Sequence, residues 1–165
     1  MSLKDVSAKL SDNGLKLLLN KDDKTLAELD VGYAQNAHRN FIISTWVKSI
    51  SPDFGVHRTV HNAMEAELAE VNWDKSIVVT SGDDKFTVHA WLCAGVVPHI
   101  LGSTVLLQAY VQPDLRQKGV LKAILERFAN GDIVYPRQLP NTLTWSSTAN
   151  KWTYNPYLLG KFLRH

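Results

Sequence analysis

The sequence predicts a mixed α/β (α+β) domain, with a central sheet covered by helices on both faces. Residues 42–50 and 60–71 place apolar side chains at helical spacing. Residues 86–93 alternate with the period of a strand, and residues 104–111 form an almost wholly apolar run. That run passes through a short polar turn into an amphipathic helix, a connection long enough for a right-handed crossover to a parallel strand.

Composition narrows the classes. The chain has 165 residues, 45% hydrophobic and 21% charged, which suits one folded domain over 1–165 and excludes a disordered tail. We find no repeat, low-complexity tract or linker. Eighteen basic against sixteen acidic residues leave a formal charge of +2, too small to argue for nucleic acid, so any anion site must be local. The single cysteine, Cys93, lies in an apolar run and reads as a buried small hydrophobe in a reducing compartment. No apolar stretch reaches the roughly 18 to 20 residues of a membrane span, and the first residues lack a signal-peptide core. These features predict a cytoplasmic protein without a membrane partner.

Each element has its own signal. The stretch GLKLLLNKDDKTLAELDVG predicts a hairpin turning at residues 20–24. HRNFIISTWVKSIS carries Ile42, Ile43, Trp46, Val47 and Ile50 on one helical stripe, and Pro52 supplies the stop. RTVHNAMEAELAEVNW repeats the pattern with Val60, Met64, Leu68 and Val71. KSIVVTS is a strand, followed by a turn at residues 81–84. In the next strand Phe86, Val88, Ala90 and Leu92 share one face, and Thr87, His89, Trp91 and Cys93 the other. STVLLQAYV predicts a central strand with Val105, Leu107, Ala109 and Val111 on one side. LRQKGVLKAILERFAN predicts a helix with Val120, Ile124 and Phe128 inward and Gly131 beyond its end. Residues 141–145 read as a short strand, and NPYLLGKFL as one or two helical turns.

The turn YVQPDLRQKG carries the chemistry. The first amides of a helix lack intrahelical acceptors, and the helix dipole adds positive potential there. Together they form a site for a phosphate-sized anion. The donors are the amides of Gln117, Lys118, Gly119, Val120 and Leu121. Gly119 lets a ligand approach its backbone, Arg116 and Lys118 add charge, and Pro113 helps end the strand. The competing reading is a helix start with solvated basic side chains.

The run VQPDLRQKGVLKAIL resembles the acetyl-CoA-binding motif of the GNAT superfamily of N-acetyltransferases. Its members show a strand ending in Val-x-Pro, then Arg/Gln-x-x-Gly-x-Gly/Ala opening a helix. Val111, Pro113, Arg116 and Gly119 match, whereas Leu121 stands where Gly or Ala is usual. The order of elements resembles the family from about residue 41 to 162. Short members encoded by bacteriophages look similar, including a helix with an ISTWVKS-like pattern, which would place the protein in host cytoplasm.

The resemblance implies a GNAT-like mixed sheet with acetyl-CoA as co-substrate, held between diverging parallel strands, here 104–111 and 141–145. The pyrophosphate would sit on Arg116, Gln117, Lys118, Gly119, Val120 and Leu121. The pantetheine arm would pair with Ala109, Tyr110 and Val111, and Asn150 would bind it too. An amine of a small molecule or protein would attack the thioester directly. Tyr157 would protonate the leaving thiolate, with Tyr154 in reserve. Many relatives carry a Glu base on the central strand. Gln108 stands in that neighbourhood and its amide takes no proton, so His89, through water, is the candidate base, with His99 behind it. The family usually continues for two more strands, so the resemblance implies a sheet shortened at the C-terminus. The substrate side is then incomplete, closed by a second subunit as in a homodimer, or built from the N-terminal half. A GNAT-like module that binds or assembles without catalysis is the alternative.

Other groups carry weaker signals. His57 and His61 have i, i+4 spacing, but no Glu follows His57 and no third ligand is evident, so no metal site is predicted. His89 also reads as an ordinary sheet histidine, and Tyr157 as a packed aromatic. The basic and aromatic C-terminal stretch resembles single-strand binders, but the small net charge disfavours nucleic acid.

Overall fold

The hairpin at residues 20–24 forms because Asp22 and Asp23 both accept positive φ, 53° and 64°. Two such residues in succession give the turn whose twist matches its flanking strands. In the computed structural model, which describes residues 5–50, 68–69, 71–81, 87–95, 104–128, 133–135 and 152–154, this hairpin joins β2 (Lys16–Lys21) to β3 (Lys24–Tyr33). A further strand, β1 (Ser7–Leu10), pairs antiparallel with β2 and was not read from the sequence.

The remaining strands are β4 (Ile77–Ser81), β5 (Val88–Ala94), β6 (Thr104–Val111), β7 (Ile133–Tyr135) and β8 (Trp152–Tyr154). The helices are α1 (Asn36–Ile50) and α2 (Val120–Phe128). The class is mixed α+β. Among the described residues the eight strands lie in one sheet in chain order, antiparallel from β1 to β6 and parallel from β6 to β8.

Two buried layers sandwich the sheet. One joins Leu17, Leu29, Val31, Ile77, Val79, Ala90, Leu92 and Leu106 to Val120, Leu121, Ile124 and Leu125 of α2. The other joins Ile42 and Trp46 of α1 to Val78, Trp91, Cys93, Val105 and Leu107. Trp46 and Trp91 stack with centroids 5.8 Å apart, worth about 1 kcal/mol beyond area burial. The Trp91 indole donates to Thr45 Oγ1 at 2.8 Å, which pins α1 to β5.

Two β-bulges correct the predicted faces. Val79 pairs with Ala90 but Thr80 pairs with Val88, leaving His89 as the extra residue. Val88 therefore joins Trp91 and Cys93 rather than Ala90 and Leu92. Likewise Cys93 pairs with Gln108 and Ala94 with Leu106, leaving Leu107 extra. Val105 and Leu107 face α1, while Ala109 and Val111 join the α2 layer. A bulge inserts one residue on one strand, so a strict period of two breaks there.

The crossover after α2 also differs from the prediction. The described parallel partner of β6 is β7, Ile133–Tyr135, where the sequence predicted a crossover to residues 141–145. Residues 141–145 lie outside the described residues, as do most of the helix expected at 58–72 and the C-terminal turns. Of the former, Leu68 and Ala69 are helical, whereas Val71, read as the last residue of its apolar stripe, instead forms an isolated antiparallel bridge with Gly95, and Trp73 opens a 3-10 turn. No described helix is long and apolar enough to cross a membrane.

Candidate functional site: an open strand edge beside a loop of amides

β6 and β7 pair over two residues only, Thr104 with Ile133 and Val105 with Val134. β6 continues for six residues to Val111. Beyond Val105, no described strand pairs with β6 on that edge. The direction of its backbone groups follows from the other edge. The amide of Gln112 donates to the His89 carbonyl at 2.9 Å, so Gln112 faces β5. Successive residues of a strand point their amides to opposite edges. Ala109 and Val111 therefore present their backbone groups to the edge opposite β5, where no described strand pairs.

Side chains of the same chain occupy two of those groups. Ala109 N–H donates to Gln108 Oε1 at 3.2 Å. Arg116 Nε donates to the Val111 carbonyl at 2.8 Å. The Arg116 guanidinium lies 6.0 Å from the centroid of Tyr110, within reach of a cation–π contact.

The loop after β6 is built in three steps. Pro113 opens a short 3-10 turn, Pro113–Leu115, and buried Leu115 anchors it. Gln117 and Gly119 then take positive φ, 62° and 86°. They flank Lys118, which has no positive φ, an alternation in the sign of φ like that of an anion-binding nest. Finally the Gly119 carbonyl accepts from Ala123 N at 3.0 Å, the first bond of α2. The helix thus starts at Val120, later than the sequence prediction that opened at Leu115.

The amides of Gln117, Lys118, Gly119 and Val120 have no backbone acceptor among the described residues. The Lys118 carbonyl accepts from Ala8 N at 2.7 Å, so the curled sheet brings β1 back to brace the loop. Leu121, the departure from the motif, is 7% exposed and belongs to the core under α2. Its side chain is spent on packing.

His89 has two partners. Its Nε2 lies 2.7 Å from Ser81 Oγ and its Nδ1 lies 2.9 Å from Gln112 Oε1. The bulge aims the ring along the ends of β4, β5 and β6. Gln112 lies three residues beyond Ala109, about 10 Å along the strand. Neither Ser81 nor Gln112 was singled out from the sequence. Gln112 is the variable position of the Val-x-Pro strand end, and Ser81 read as a turn residue.

Asn150, Tyr157 and His99 lie outside the described residues, as do His57 and His61. Tyr154 falls in β8. Cys93 is fully buried, and desolvation pushes its thiol up to about 12 against an opposing hydrogen bond with Ser76. It offers no thiolate near neutrality. An open depression of about 660 Å³ lies elsewhere, lined by residues of β1 and the β2–β3 turn such as Asp5, Lys9, Asp22 and Asp23, and it includes no residue of the motif. Comparison of the chain with protein-family models, curated proteins and solved structures gives no match.

Proposed function

We propose that the protein is a GNAT-type N-acetyltransferase that moves an acetyl group from acetyl-CoA to an amine. One observation supports this reading above the others: past Val105 no described strand pairs with that edge of β6, and the edge leads directly into a loop whose amides have no backbone acceptor among the described residues. A pantetheine arm needs such an edge, and a pyrophosphate needs such a loop.

In this reading Arg116 and Lys118 and the amides of residues 117–121 hold the pyrophosphate. The arm pairs along residues 109–111, with Asn150 as a further contact. The amine attacks the thioester carbonyl, the C–N bond forms and the C–S bond breaks. Rate comes mainly from holding both reactants in place, and from a backbone amide facing the carbonyl oxygen. The ammonium proton leaves through water toward His89, and Tyr157 protonates the thiolate.

The test is calorimetric titration with acetyl-CoA. Saturable binding, lost on Gly119→Trp in a variant whose circular dichroism spectrum is unchanged, supports the reading. Absence of binding at millimolar cofactor sinks it. Product formation with a panel of amines then tests chemistry, and unchanged turnover in Tyr157→Phe removes that residue from it.

A second reading is a GNAT-like binding or assembly module without catalysis. Gln108 favours it, since a carboxamide stands where relatives carry a carboxylate base. Cofactor binding without product from any amine supports this reading.

A further inference from the structure

We infer that Gln108 is a specificity-determining residue, whose carboxamide oxygen keeps the Ala109 amide occupied until an acyl carbonyl displaces it. The inference rests on the acetyltransferase reading and concerns how that site tells acetyl-CoA from free coenzyme A. Gln108 is nearly buried, at 5% exposure, and follows the bulged Leu107. The bulge reverses the alternation of faces here. It also leaves the amide of Ala109 as the first to face the open edge past the bulge.

Of the two occupied groups on that edge, the Ala109 amide has the longer bond and an uncharged partner. The Val111 carbonyl is held by a guanidinium at 2.8 Å, a short charge-assisted bond. The Ala109 amide is held by a neutral carboxamide of the preceding residue at 3.2 Å, the long end of the hydrogen-bond range. A thioester oxygen arriving at Ala109 therefore replaces one amide–carbonyl bond with another. With the arm's own amides paired nearer Val111, a coenzyme A thiol brings no carbonyl to Ala109, so Gln108 stays in place. The side chain thus reduces the advantage of the acylated cofactor over the spent one.

Removing the competing oxygen should raise affinity for acetyl-CoA alone. Calorimetry on wild type, Gln108→Met and Gln108→Ala, each with acetyl-CoA and with coenzyme A, provides the test. Met keeps the volume without the carboxamide, and Ala guards against an effect of the new side chain. Thermal melts establish that each variant is folded. The expected result is a rise of about two- to tenfold in acetyl-CoA affinity in both variants, with coenzyme A unchanged. If coenzyme A binds but the ratio of the two affinities stays at the wild-type value, or both ligands shift together, Gln108 has no such role and the transferase reading stands. If wild type binds neither ligand at millimolar concentration, the transferase reading fails and takes this inference with it.

Discussion

Gln112 and His89 are joined twice, once through backbone and once through side chains. The Gln112 amide donates to the His89 carbonyl at 2.9 Å, and Gln112 Oε1 lies 2.9 Å from His89 Nδ1. Ser81 extends the chain at 2.7 Å from Nε2. All three residues are partly exposed, so water replaces the lost partner in His89→Ala. Urea denaturation should show a loss of about 1 kcal/mol. If the ammonium proton leaves by way of His89, turnover should also fall by about a hundredfold. A purely structural role leaves kcat of the folded variant unchanged.

Gly119→Ala should destabilise through the backbone alone. A Cβ at this position meets nothing closer than the Ala8 carbonyl at 3.8 Å, which is ordinary contact. The φ of 86° is the difficulty, since a Cβ disfavours it. Chemical denaturation should report a loss of about 1 kcal/mol.

Thr45→Val should cost more than Thr45→Ser. The Thr45 hydroxyl accepts from the indole of Trp91, which is 1% exposed, and donates to the Phe41 carbonyl at 2.8 Å. Valine keeps the shape but strands a buried N–H, at about 1–3 kcal/mol. Serine keeps the acceptor and loses only a methyl. Equal losses in urea melts would show that the Trp91 bond contributes nothing.

Cys93 should resist alkylation by iodoacetamide in the folded protein at mildly alkaline pH and react fully once unfolded. Its thiol titrates near 12 when folded, from an ordinary value of 9.0, because burial disfavours the thiolate. Between those values the folded chain holds a proton that the unfolded chain releases. The Cys93 contribution to stability is therefore complete below pH 9 and is lost as pH rises toward 12. Denaturation midpoints of wild type and Cys93→Ala should converge or cross over that window.

Much of the scaffold was legible because local chemistry dictated it. Asp22 and Asp23 announce a hairpin, and Ile42 with Trp46 announces the buried stripe of α1. The mixed class followed from these periods. What escaped was non-local. Nothing in the sequence near His89 or Leu107 marks an extra residue, because a bulge is a mismatch between two strands and neither strand carries it alone. β7 is three residues long, too short for a period to show, so residues 141–145 drew the assignment instead. β1 alternates only between exposed and half-buried positions and gave no apolar signal. At the candidate site, Arg116 and Gly119 were legible as a motif. The hold of Gln108 on Ala109 was not, since it arises from the bulge.

Chain order and sheet order coincide from β1 to β8, so during synthesis each new strand meets a neighbour already outside the ribosome. The brace between Ala8 and Lys118 runs against this order, joining positions more than a hundred residues apart. That corner closes only when α2 emerges, so a nascent chain halted before Lys118 carries most of the ladder with β1 still lacking its clasp.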